Sequence, residues 1–259
     1  MISVVIPTLN AEERFASCLT ALVPAAVEGF VREVIVVDGG SSDATLRIAD
    51  QAGVDVVTSE PGRGMQLRAG ARQARQPWLL FLHADTVLSP GWDNEAMDFI
   101  ERVDHGRQRQ TAATFRFALD DFGLAPRLLE RIVAFRGSVL ALPYGDQGLL
   151  ISRQLYDEIG GYRPIPLMED VDIVRRLGRR RLWRLRSIAT TGAARYRADG
   201  YIHRVLRNQV CLGLYGLGVA PSRIARLYPI RATAAAPGAA DATPAAGSAG
   251  NGGSPVKSL

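Results

Sequence analysis

The chain has almost no lysine. Lys257 is the only one among 259 residues, so the formal net charge of +5 is carried by arginine. A planar guanidinium suits phosphate and carboxylate, but genomic base composition can also place arginine on a neutral surface, so particular arginines say more than the total. Cysteine is nearly absent too. Cys18 and Cys211 lie far apart in unlike contexts, which argues against a disulfide scaffold and for a reduced, intracellular protein. Long apolar runs are missing: residues 210–220 contain three glycines and fall short of the ~20 residues that a membrane span needs. Met1 leads straight into a β-branched run with no basic segment or cleavage site. Neither a transmembrane helix nor a signal peptide is therefore expected. With 47% hydrophobic and 22% charged residues, the composition is that of a globular protein able to bury a sizeable core, as one large α/β domain or two small ones.

The most informative stretch is Pro77-Trp78-Leu79-Leu80-Phe81-Leu82-His83-Ala84-Asp85-Thr86. Its apolar run has strand length and ends at a histidine and a carboxylate. A buried strand that delivers Asp85 to a sheet edge puts it where open α/β sheets bind ligands. There the acid either holds a metal ion or polar ligand, or caps the next turn.

Around that stretch, strand and helix alternate. Ile2 to Pro7 reads as a first strand closed by proline, followed by a helix with Asn10 as N-cap and acids in its first turn. Glu33 to Asp38 is a second strand that again ends in an acid, and Gly39 to Asp43 a flexible turn into a capped helix reaching about Ala52. Val54 to Thr58 is a third strand. In Glu60-Pro61-Gly62-Arg63-Gly64-Met65-Gln66, a glycine-bracketed arginine opens a helix to about Gln76 and is either an anion site or a simple loop. A strand over 111–118, an amphipathic helix around 124–135 and a helix near Arg153 to Ile159 follow. Asp146 and Gln147 sit between Gly145 and Gly148 just before a further strand, where backbone can approach a ligand closely. Glu169, Asp170 and Asp172 introduce a helix over Val171 to about Arg180 and act either as site carboxylates or as acids answering the helix dipole. This alternation predicts a mostly parallel, Rossmann-like sheet with helices on both faces.

Taken in order, Ser3 to Glu12, Val36 to Thr45, the Gly-Arg-Gly helix, Phe81 to Thr86, Gly160-Gly161-Tyr162 and Glu169 to Ile173 resemble the family 2 glycosyltransferases, which have the GT-A fold. Phe81 to Thr86, Tyr144 to Leu149, and Thr191 to Tyr196 followed by Gly200 are similar to the subgroup associated with radical-SAM/selenodomain proteins, also labelled arsenosugar-biosynthesis glycosyltransferases. The likeness covers about residues 1–180.

That resemblance implies a metal-dependent, inverting transfer of a sugar from a nucleotide-diphosphate sugar to a hydroxyl acceptor, either a small molecule or lipid-linked. It implies no nucleic-acid partner. Pro7, Thr8, Glu12 and Asp38 would hold the nucleoside, with Asp38 accepting a hydrogen bond from the base. Asp85 would coordinate Mg²⁺ or Mn²⁺ on the diphosphate, assisted by Arg63, with Asp146 and Gln147 also in the donor site. Asp170, beside Glu169, would be the catalytic base. The chain departs from the family pattern at three places. His83 replaces the first acid of Asp-x-Asp and would bind the ribose or simply pack, Arg68 stands where asparagine is usual, and Gly39 replaces a second aspartate.

Beyond Leu182 the likeness thins. Residues 201–228 mix apolar and basic side chains, as a basic amphipathic helix that packs on the domain or lies on an anionic membrane. The expected location is cytoplasmic, with peripheral contact to the inner face of a membrane as the further option. One GT-A domain over 1–229 is expected, with a nucleotide-binding half to 110 and an acceptor half after it. Residues 230–259, rich in Ala, Gly and Pro, are expected to be disordered. Two other classes fit a similar sheet. A sugar-1-phosphate nucleotidyltransferase would carry a Gly-rich signature with arginine after the first strand, where this chain has Pro7-Thr8-Leu9-Asn10. A non-catalytic nucleotide-sugar-binding protein would have no need of Asp170.

Overall fold

The computed structural model describes residues 1–107, 109–121, 123, 126–127, 129 and 145–227. The expected amphipathic helix at 124–135 and the tail from 230 fall largely or wholly outside these. Strands β1 (Ile2–Thr8), β2 (Val31–Asp38), β3 (Asp55–Thr58), β4 (Trp78–Phe81), β5 (Thr86–Leu88), β6 (Ala112–Asp120), β7 (Leu149–Ser152) and β8 (Leu182–Gly192) form one sheet in the order β3-β2-β1-β4-β7-β6-β8-β5. The first four run parallel, β7 is antiparallel to both β4 and β6, and β8 is parallel to β6 and antiparallel to β5.

Helices α1 (Glu12–Thr20), α2 (Val23–Val27), α3 (Thr45–Gln51), α4 (Arg63–Gln73), α5 (Trp92–Asp104), α6 (Arg153–Glu158) and α7 (Glu169–Leu177) cover its two faces. Alternation along β1 assigns the layers. Ile2, Val4 and Ile6 pack with Phe15, Trp92 and Phe99 of α1 and α5, while Val5 joins Leu67 and Ala71 of α4 and Ile173 of α7 on the other side. Burial on both faces explains the largely apolar runs of β1 and β4. Each fully buried Leu, Ile or Phe contributes about 1.5–3 kcal/mol.

Helices α8 (Ala194–Asp199), α9 (Tyr201–Gly216) and α10 (Pro221–Leu227) end the described chain. The region expected as one amphipathic helix is thus two, broken by the positive φ of Gly218. None of the described helices is long and apolar enough to cross a membrane.

Other boundaries shift for local reasons. The expected N-cap Asn10 lies one residue too early: it adopts a left-handed φ of 50° and its side chain bonds another loop, so Ala11 takes the cap position. Glu169 and Asp170 do not precede α7 but form its first two residues, because Met168, at a left-handed φ of 67°, makes the turn into the helix. β8 is held by α5 where its register with β6 shifts: Glu95 accepts bonds from the backbone amides of Arg186 and Ser187 and from Ser187 Oγ.

Candidate active site

The carboxyl ends of β1 and β2 are laced together by loop side chains. Asn10 Oδ1 accepts from the Ser42 amide, the Glu12 amide donates to Asp43, and Glu12 Oε2 accepts from the Ala44 amide. Asp38, only 2% exposed, accepts from Thr8 Oγ1 (3.0 Å) and Ser41 Oγ (2.5 Å) on one oxygen and from the amides of Gly40 and Ser41 (2.8 Å each) on the other. A carboxylate offers about four acceptor positions, and all are used. A base could bond Asp38 only by displacing one of these donors, so here the residue shapes the loop. Thr8 and Pro7 are buried beneath it.

Gln66, which the motif reading passes over, ties α4 to both strand ends. Its Nε2 donates to Thr8 O at 2.7 Å and Val37 O at 2.8 Å. The sequence does carry a signal, since Gln66 lies one turn after Arg63. It also explains the missing second aspartate: a Cβ on Gly39 would lie 3.1 Å from Gln66 Nε2 and 3.3 Å from Pro61 Cα.

Arg63 is the first residue of α4 and is open to solvent. Crowding by surrounding protein works against its charge, but Glu169, Asp146, Asp85 and Asp170, in falling order, together raise its pKa above the ordinary arginine value. Next to it Gly64 sets how closely α4 can pack: a Cβ there would sit 2.4 Å from Arg163 O and 2.9 Å from Ile165 O, so only glycine lets α4 meet the loop that leads to α7.

Asp85 lies in the turn between β4 and β5, half-buried. Its carbonyl accepts from the Gly192 amide, and His83 O accepts from the Thr86 amide, so backbone bonds fix the turn from both sides. Beneath it the Cys18 thiol donates to His83 O at 3.5 Å, and burial, then the Asp85 charge, push that thiol's pKa up. His83 Nδ1 meets Asp146 Oδ1 at 3.0 Å. Asp146 belongs to a 3-10 turn, Gly145–Gln147, whose Asp146 carbonyl accepts from Thr191 Oγ1. Gln147 is buried.

Glu169 and Asp170 face a small cavity of about 20 Å³, also lined by His83, Thr114 and Tyr162 and floored by Phe81 and Leu149, about enough for one water. Asp170 is half-buried and accepts from the Val171 amide at 2.7 Å. Glu169 is 4% exposed; burial, then the Asp170 charge, raise its pKa to about 7 against the relief that Arg63 supplies. Of the three acids, Asp172 is the structural one. It pairs with Arg176 at 2.6 Å, and Arg176 in turn donates to Gly161 O at 2.7 Å and to Ile159 O, which fixes the Gly-Gly-Tyr turn.

Arg63, His83, Asp85, Asp146, Glu169 and Asp170 thus converge from four separate segments. Pro7, Thr8, Glu12 and Asp38 form a second group at the neighbouring strand ends, joined to α4 through Gln66. Among the described residues no three His, Cys, Asp or Glu side chains converge as a self-sufficient metal site. Asp85 alone does fit a hard cation that takes most of its ligands from substrate phosphates.

Known proteins resemble the chain in sequence and in fold. The dolichyl-phosphate β-glucosyltransferase of Drosophila melanogaster is 30% identical over 152 residues, 52% of this chain and 47% of that protein. The glucosyl-3-phosphoglycerate synthase of Mycolicibacterium paratuberculosis is 35% identical over 95 residues, 33% of this chain and 29% of its own. The chain thus spans less than half the length of these relatives. A structure of the Mycobacterium tuberculosis glucosyl-3-phosphoglycerate synthase with Mn²⁺, UDP-glucose and phosphoglyceric acid superposes with a TM-score of 0.53 at 22% identity, over 74% of this chain and 70% of the other, and shares the GT-A fold. The model of glycosyl transferase family 2 matches residues 3–159, and with more than half of its length accounted for the chain belongs to that family.

Proposed function

We propose that the chain transfers a sugar from a nucleotide-diphosphate sugar to a hydroxyl acceptor with inversion at the anomeric carbon, and that it requires Mg²⁺ or Mn²⁺. The observation that carries this reading is that Asp85, just beyond the carboxyl end of β4, and Glu169 and Asp170, at the start of α7, lie near enough to Arg63 to favour its charged form, in a family 2 chain. Asp85 would hold the cation, which when bound would offset charge on the departing diphosphate. Arg63, kept protonated by its carboxylate neighbours, faces the same space and suits the phosphates. Asp170 would accept the acceptor's hydroxyl proton as that oxygen attacks the anomeric carbon and the bond to the nucleotide oxygen breaks. Glu169, buried behind it, sets the local field.

The named relatives support a UDP-sugar donor and leave small and lipid-linked acceptors both open. The likeness to the arsenosugar-biosynthesis subgroup rests on the sequence motifs alone. Calorimetry with UDP and GDP, with Mn²⁺ and with EDTA, tests the donor reading: binding should need the cation and be lost in Asp85→Asn. Asp170→Asn should lower turnover by ~10²–10⁴ while donor affinity stays within a few fold. Unchanged turnover would overturn the base assignment.

A further inference from the structure

Two features of the β4–β5 turn are unexplained by the donor reading. The chain has a histidine where an acid is usual, and that ring is tied at one nitrogen only. His83 is 8% exposed, and its Nδ1 lies 3.0 Å from Asp146 Oδ1. A carboxylate can only accept, so Nδ1 carries the proton of this bond and, in the neutral ring, Nε2 carries the lone pair. Nε2 has no hydrogen-bond partner among the described residues. That lone pair is therefore open to water or to a ligand.

The surroundings say which kind. Asp85 is two residues along the same turn, Asp146 holds the ring, and Glu169 and Asp170 line the cavity it borders. Glu169, Asp146, Asp85 and Asp170 together favour the charged form of Arg63, a field that suits a cation. A metal-ligating histidine typically donates its other ring N–H to a carboxylate, which fixes the tautomer and raises the ligand's basicity. The His83–Asp146 pair has that arrangement before any ligand binds.

We propose that His83, through Nε2, is a second protein ligand of the divalent cation beside Asp85, and that Asp146 is its positioning residue. The inference rests on the cation-dependent donor site proposed above and deepens it. Its chemical consequence is a shift in metal preference. Imidazole suits later, softer divalent ions better than Mg²⁺, which prefers carboxylate and water oxygens, so the site should favour Mn²⁺ or Co²⁺ over Mg²⁺.

Pulsed electron paramagnetic resonance on the full chain with Mn²⁺ and UDP, and in parallel with GDP, tests this without any turnover. The wild type should show modulation from a directly bound imidazole nitrogen. It should be lost in His83→Asn and kept in Glu169→Gln. By calorimetry in the presence of UDP, Asp146→Asn should weaken Mn²⁺ binding by about 10–100-fold, and His83→Asp should lower the ratio of Mn²⁺ to Mg²⁺ affinity. Bound Mn²⁺–nucleotide without nitrogen modulation in the wild type would overturn the role of His83 and leave the donor reading standing. Failure of Mn²⁺ to support any nucleotide binding would overturn the donor reading, and this inference with it.

Discussion

Glu169 sits in an environment that is costly to its own charge. Burial and the Asp170 charge raise its pKa to about 7, from an ordinary value near 4.5. Its folded form therefore takes up a proton more readily than the unfolded chain does. Between about pH 4.5 and 7 the native state binds the extra proton, so this group's contribution to stability falls as pH rises through that window and stays unfavourable above it. Glu169→Gln removes the penalty. Melting temperatures measured from pH 4 to 9 should show the variant more stable than the wild type at pH 8, with the gap closing towards pH 4.5. A gap that is constant with pH would mean that Glu169 titrates at its ordinary value. Asp172 is the contrasting residue: it shares the first turn of α7, but its pairing with Arg176 gives it a structural task. In the sequence Asp172 already leans towards answering the helix dipole while Glu169 and Asp170 stand at the loop-to-helix junction; what separates all three in the fold is burial and the partners brought by Gly160-Gly161 and by α4, at no fixed distance along the chain.

At the scale of elements, close backbone approach decides where the site can form. α4 packs so tightly on the sheet that a Cβ at Gly70 would lie 2.4 Å from Val5 Cγ1, and at its other end Gly64 meets backbone oxygens at 2.4 and 2.9 Å. Gly64→Ala should therefore destabilise by about 1–3 kcal/mol through overpacking, and it should weaken nucleotide binding because Arg63 moves with the helix. Gly213→Ala in α9 is the control. Nothing lies within 4 Å of its Cβ, so loss of glycine's helix penalty should stabilise by about 0.5–1 kcal/mol. Denaturant midpoints for both variants check the pair, and a neutral Gly64→Ala would show that the loop at 163–165 simply moves aside. The elements that build the donor end were legible as apolar, β-branched runs ending in acids: β1, β2 and β4 lie within two residues of their expected bounds. β8 was not, since its outward positions, Trp183, Arg184 and Arg186, make it read as a basic surface segment. α5 does carry Trp92, Ala96, Phe99, Ile100 and Val103 at helical spacing, so its pattern is in the sequence although the reading above assigns it no element.

Across the whole molecule, the C-terminal hairpin of α9 and α10 packs against the start of α7. Cys211 and Ile224 pack on Met168 and Val171, the residues that bracket Glu169 and Asp170. Tyr215 Oη donates to Asp172 Oδ1 at 3.3 Å, and the Arg175 guanidinium lies 5.4 Å from the centre of the Tyr215 ring. The left-handed turn at Met168 is a conformation that a non-glycine residue keeps only when its surroundings hold it, and here the hairpin supplies them. This reach is why the first turn of α7 could not be read locally: Cys211 and Ile224, which pack beside it, lie far along the chain, in a segment whose composition suits packing on the domain and, as the lesser option, a membrane face. Ile224→Ala, at a fully buried position, should cost about 2–5 kcal/mol. Its effect on function separates two roles. If the hairpin only adds stability, turnover per folded molecule should match the wild type well below the melting temperature. If it holds the first turn of α7, turnover should fall while the Mn²⁺-dependent nucleotide binding proposed for Asp85 and Arg63 keeps its affinity. Removal of residues 232–259, by contrast, should leave both quantities and the melting temperature unchanged, because a stretch so poor in large apolar side chains has little with which to brace anything.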